Sequence, residues 1–231
     1  RAAMTGRKPG RCQLHTQTEA TYASARVLRT AWLLSALLAT CGPATAGARR
    51  DAAQAAEMEV TREATGFTIT QDLRVSGAGR SDYESAIRLL EQQQIEQGIA
   101  LLVKVTGEAP AAIAPHIDLG IAYGLTGDLD RAELSLKRAL ELDPGHPIAN
   151  NELGMVYRRK GQFAEARASY EKSLELYPSF HFAHRNLAIL CDLYLQDFGC
   201  ALEHYEAYRQ AVPDDQDATR WIADVNSRAD Q

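Results

Sequence analysis

The feature that most constrains this chain is an internal offset of 34 residues. Laying residues 113–146 over 147–180 places Leu119-Gly120 on Leu153-Gly154, Tyr123 on Tyr157, Gly127 on Gly161, Ala132 on Ala166 and Pro144 on Pro178. A chain that repeats at this period folds as an array, because one unit cannot bury its apolar face alone and stacks on its neighbours. Within the period the punctuation reads as two helices. Gly120, Gly154, Ala132 and Ala166 are small where antiparallel helices must approach closely. Gly127 and Gly161 suit a left-handed turn between the helices, and Asp143-Pro144 and Tyr177-Pro178 end the second helix because proline cannot continue the hydrogen-bond ladder.

This set of Leu-Gly, Tyr, Gly, Ala and Pro resembles the tetratricopeptide repeat, a helix–turn–helix unit. One period later Leu187, Ala188, Ala201, Tyr205 and Pro213 continue the set, with Ala201 and Pro213 one residue late. The extra residue predicts a longer inter-helix loop through Leu195-Gln196-Asp197-Phe198. One period earlier Ala86, Leu89, Gly98, Leu102 and Pro110 form a degenerate copy, with Gln93 at the turn glycine. After Asp215, Trp221, Ile222 and Val225 share one stripe of a short helix, with Asp217, Arg220, Asp224 and Arg228 mostly on other faces, as a solvating terminal cap requires.

The resemblance therefore implies an all-α fold: a right-handed α-α superhelix of four repeats (79–112, 113–146, 147–180 and 181–215) and a capping helix over 216–231. Residues 42–78 read as a tether, first rich in Ala, Arg and Glu. It then alternates through Phe67, Ile69, Leu73 and Val75 as a short extended stretch.

Residues 1–41 read as a leader. Arg26 and Arg29 precede an uncharged run from Thr30 to Thr40, too short to span a bilayer and shaped like a secretory signal. Its end, Leu38-Ala39-Thr40-Cys41, resembles the bacterial lipobox, which implies cleavage before Cys41 and a lipid on that cysteine. Thr40 departs from the Gly, Ala or Ser that the lipobox prefers at its place. Ala44-Thr45-Ala46 offers an ordinary cleavage site that would release a soluble periplasmic protein. Arg1 to Arg26 read as an over-extension of the reading frame. Gly42 after Cys41 implies sorting to the outer membrane, facing the periplasm.

Composition bounds the function. With 45% hydrophobic and 24% charged residues the chain is neither collagen-like, wholly disordered nor a multi-span membrane protein. Its net charge of -5 is unevenly spread, about +4 over residues 1–78 and -9 over the rest. An acidic body argues against nucleic acid as a partner, since a phosphate-backbone binder needs a basic footprint.

The tetratricopeptide resemblance implies a concave groove lined by the first helices, holding a peptide or helical segment of a partner protein. Carried over by alignment, its positions are Arg80, Tyr83, Ile87 and Leu90, then Ala114, Ile117, Ile121 and Gly124. They continue with Ile148, Asn151, Met155 and Arg158, and end with Phe182, Arg185, Ile189 and Asp192. Ile87, Ile117, Ile121, Met155 and Ile189 form an apolar floor, with Tyr83 beside it and Asn151, Arg158 and Arg185 as polar contacts. Ile121, Met155 and Ile189 stand where chaperone-tail binders of this type need Asn, which disfavours that reading.

Cys191 and Cys200 are placed to face each other across an antiparallel hairpin. Oxidising conditions outside the cytoplasm would join them as a structural disulfide, against two separate buried thiols. His181 and His184, one helical turn apart, could share a metal. His184, however, holds a packing position also held by His116 and Asn150, and His204 is expected on an outward face. No nucleophile elbow, phosphate-binding loop or isolated carboxylate pair is found. The sequence thus predicts a noncatalytic scaffold or adaptor of the bacterial cell envelope, without cofactor or metal and held to the membrane through Cys41. The alternative is an envelope enzyme or metal-binding protein using His181, His184, Cys191 and Cys200.

Overall fold

The computed structural model describes residues 58–63, 66–71, 75 and 77–230; Cys41 and the lipobox-like run lie outside them. β1 (Met58–Glu63) and β2 (Gly66–Gln71) form an antiparallel hairpin, in register from Met58 opposite Gln71 to Glu63 opposite Gly66. The first strand falls where the sequence suggested a tether. A lone extended segment leaves its backbone donors and acceptors unpaired, and the Val60-Thr61 stretch supplies the ladder partner for β2.

Nine α-helices follow among the described residues. They are α1 (Gly77–Glu91), α2 (Ile95–Glu108), α3 (Ile113–Thr126), α4 (Leu129–Leu142), α5 (Pro147–Arg159), α6 (Phe163–Leu176), α7 (His181–Leu190), α8 (Phe198–Ala211) and α9 (Gln216–Ala229). Each packs on the helices before and after it in sequence, and α5 also touches α3 and α7 directly. Beyond the hairpin the fold is an all-α tetratricopeptide superhelix, with α1, α3, α5 and α7 as the first helices of successive units.

Each pair turns through one residue with positive φ: Gln93 at 62°, Gly127 at 86°, Gly161 at 75° and Gln196 at 54°. The degenerate first unit therefore keeps the left-handed turn without glycine, at the steric cost that a Cβ brings there. Gly154 serves close approach instead, because a Cβ on it would stand 2.6 Å from Cε1 of Tyr170 in α6. Proline stops are reinforced by a polar device repeated at the 34-residue period. His116 Nε2 lies 3.2 Å from the Pro110 carbonyl, the Asn150 amide donates to that of Pro144 at 3.1 Å, and His184 Nε2 lies 2.7 Å from that of Pro178. Each bond ties the start of a first helix to the loop before it.

The extra residue of the fourth unit is not in the loop. A π-helical turn over Cys191–Leu195 absorbs it at the end of α7, leaving Gln196 and Asp197 between that turn and α8. Two residues, Gly127 and Asp128, make the same join between α3 and α4. A widened helical turn keeps most backbone groups bonded, which a longer loop would not. Cys191, in this turn, and Cys200, in α8, form a disulfide.

The core forms two main clusters. Leu90, Leu102, Leu136, Leu153 and Val156 belong to the first, and Tyr170, Leu187, Leu190, Tyr205 and Val225 to the second. Val225 on α9 is fully buried and Trp221 lies 5.4 Å from the Tyr205 ring, so α9 closes the open end. Arg228 departs from its outward expectation: it reaches Asp192 at 2.5 Å, across the joint between the π-turn and α9.

Candidate functional site

The first helices carry the nominated groove residues, and the structure divides them. Tyr83, Ile87, Ile121, Met155, Arg158 and Arg185 are half-buried and have surface to offer. Ile117, Asn151 and Ile189 are 4%, 2% and 8% exposed, so they serve mainly as packing, not as an open floor. The reason is the direct contact of α5 with α3 and α7, which closes over the residues at the joints. Leu90 and Asp192 are buried as well.

At those joints lies a column the alignment of groove positions passed over: Glu84, Asp118, Glu152 and Asn186, one residue after Tyr83, Ile117, Asn151 and Arg185 and spaced at 34. The Tyr83 hydroxyl donates to Asp118 at 2.5 Å, and the Asn186 amide donates to the Asn151 side-chain oxygen at 2.9 Å. In both, a column residue or its neighbour bonds across to the adjoining unit. The middle joint has Ile117 in the donor's place. Glu152 there accepts from its neighbour Asn151 at 3.1 Å, with no cation bonded to it among the described residues. The signal for this column was present in the sequence as an acid recurring at the repeat period.

Burial governs its electrostatics. Desolvation pushes the Asp118 carboxyl up to about 6 although the Tyr83 hydrogen bond opposes it. It pushes Glu152 up to about 7, again against the hydrogen bond from Asn151. Beside Glu152, Tyr170 is wholly buried, with Arg158 as the polar side chain that acts on its hydroxyl. The charges of Arg158 and Glu152 both act on that hydroxyl. Arg158 also stands 5.8 Å over the ring of Tyr194, which with Leu193 is exposed on the π-turn. The groove thus combines half-buried apolar side chains, two desolvated carboxyls and two arginines at its α5–α7 end.

The His and Cys residues are not brought together as the metal reading needs. Both sulfurs are bonded to each other, so neither is a thiolate. The Asp197 carboxylate lies within 4.8 Å of them, without changing that. His181 is 5% exposed, against the rings of Phe182 and Tyr208, and burial pushes its imidazole down to about 4. His204 is not on an outward face: it is half-buried, with its Nδ1 3.0 Å from Nδ1 of His184.

Comparison with known proteins bears on the fold. Residues 117–179 match the tetratricopeptide repeat family model. A structure of MamA from Desulfovibrio magneticus RS-1 superposes with a TM-score of 0.60 at 20% identity, covering 68% of this chain and 88% of that one. Pseudomonas aeruginosa pilF gives 0.60 at 18%, covering 66% and 69%. A thermophilic tetratricopeptide protein of Thermus thermophilus, TTC0263, gives 0.56 at 22%, covering 64% and 80%. Among curated proteins, no sequence matches this chain.

Proposed function

We propose that this chain of tetratricopeptide repeats is a noncatalytic scaffold of the bacterial cell envelope that holds a segment of a partner protein against α1, α3, α5 and α7. The observation that carries the reading is the half-covered apolar surface along the first helices. Ile87, Ile121 and Met155 are half-buried, with the half-buried Arg158 and Arg185 at the α5–α7 end. A partner that covers such apolar side chains removes them from water, and an acceptor on that partner meets the guanidinium groups. The occupant is therefore an extended or helical segment with apolar anchors and a hydrogen-bond acceptor.

Export and a lipid on Cys41 are part of the proposal. They rest on the Arg-flanked apolar run ending in Leu38-Ala39-Thr40-Cys41, and the Cys191–Cys200 disulfide suits an oxidising compartment. Fatty-acid label that survives Cys41→Ser would refute the anchor.

The groove is tested by affinity capture from cross-linked envelope extracts, comparing wild type with an Ile121→Glu/Met155→Glu/Arg185→Glu variant of unchanged melting. Asn151 is left intact because it holds Asn186. A partner recovered by wild type alone supports the groove; equal recovery moves the contact elsewhere on the molecule.

A further inference from the structure

His184 on α7 and His204 on α8 face each other with their Nδ1 atoms 3.0 Å apart and their ring centroids 5.1 Å apart. The tautomer of His184 follows from its other nitrogen. Nε2 lies 2.7 Å from the Pro178 carbonyl, which can only accept, so Nε2 carries the proton and Nδ1 presents its lone pair. A proton on Nδ1 of His204 then completes the free pair.

The same arrangement is that of a metal-ligating imidazole, whose far N–H is fixed by a carbonyl while the near nitrogen binds the ion. Metal–nitrogen bonds of about 2.0–2.1 Å put two ligand nitrogens about 2.9 Å apart in a square arrangement and about 3.3 Å apart in a tetrahedron. The observed separation falls between them. Both rings are half-buried, on rigid helices of a unit already closed by the Cys191–Cys200 disulfide. Burial and the His184 ring oppose a positive charge at His204, as does the Arg167 guanidinium, while the carboxylates of Glu203 and Glu171 favour one.

We infer that His184 and His204 form a two-imidazole site for a borderline divalent transition ion, zinc or copper, bridging α7 and α8 at their Nδ1 atoms. Binding requires the His204 proton to move from Nδ1 to Nε2, a change of tautomer with no net loss of a proton from the neutral pair. Water fills the remaining positions. The site is independent of the groove proposal.

The test uses the full chain with its disulfide intact, so that Cys191 and Cys200 are not ligands. His184→Asn is a fold-preserving variant, because Asn150 makes the equivalent bond to Pro144; His204→Gln is the second. Zn2+ should raise the melting temperature of wild type and leave both variants unshifted, since only an ion bound across α7 and α8 favours the folded pair. Cu2+ titration should show one site fewer in each variant than in wild type. Equal Zn2+ shifts in all three proteins, or no shift in wild type at millimolar Zn2+, would overturn the assignment.

Discussion

The ring of Tyr170 lies so close over Gly154 that a methyl group on that glycine would stand 2.6 Å from Cε1 and 2.7 Å from Cδ1 of the tyrosine. The ring is wholly buried. Gly154→Ala gains about 1 kcal/mol of helix propensity and suffers overpacking of about 1–3 kcal/mol. The variant is expected to be destabilised by about 1 kcal/mol in urea unfolding, and Gly154→Ala/Tyr170→Leu should show less than additive damage. A more stable single variant would mean that α5 and α6 part easily.

Gln93 and Gln196 hold left-handed backbone that glycine adopts without a Cβ clash. Gln93→Gly and Gln196→Gly should each stabilise by about 0.5–1 kcal/mol, offset in part by the greater freedom of glycine in the unfolded chain. Thermal unfolding of the two single variants checks this. Gly127→Ala, at φ 86°, should act in the opposite direction.

Glu152 gives the folded state a pH dependence. Its folded carboxyl titrates at about 7 against an ordinary value of 4.5, so the folded state holds the proton more tightly than the unfolded chain. Stability contributed by this group is full below about pH 4.5 and is lost as pH rises through about 7. The expected loss is at most on the order of 3–4 kcal/mol, since each tenfold difference in proton affinity between the two states is worth about 1.4 kcal/mol. Glu152→Gln, which stays neutral, should flatten the fall in stability between pH 5 and 8 measured by denaturant unfolding. A slope unchanged by the substitution would show that Glu152 is solvated.

Those positions show what the sequence made legible. Turns, stops and close approaches repeat because the same backbone is built four times, so Gly127, Gly154 and Pro144 announced themselves by recurrence. The tetratricopeptide superhelix was readable from them. The π-turn was not: one inserted residue looks the same in sequence whether a loop or a helix absorbs it, and backbone hydrogen bonding decides. Groove positions were readable as places on a helix, but the burial of Ile117 and Asn151 depends on how closely α3, α5 and α7 meet. Glu152 was missed because its importance comes from an absence, the missing donor at Ile117, that only the joint reveals. His204 was misplaced because a helical wheel gives direction and not the distance to α7.

The Cys191–Cys200 disulfide closes a loop of sequence separation 9. A cross-link of that span removes about 2–3 kcal/mol of chain entropy from the unfolded state. Reduction, or Cys191→Ala/Cys200→Ala, should lower stability by about that amount, measured by urea unfolding with and without reductant. A loss below about 0.5 kcal/mol would mean that the paired state adds little to the hairpin.

Stability in a stacked array is shared between neighbours and does not pool over the whole chain. The disulfide, the Asp192–Arg228 ion pair and the burial of Val225 all strengthen the same end. The opposite end has no cross-link among the described residues, and the non-glycine turn, present at both ends as Gln93 and Gln196, does not distinguish them. Pulled or warmed, such a molecule unravels with a direction: α1 and α2 part first, and α8 and α9 let go last. A partner gripping only the α1–α3 joint would therefore act as a clasp on the side that frays, and amide exchange would report its arrival there before anywhere else.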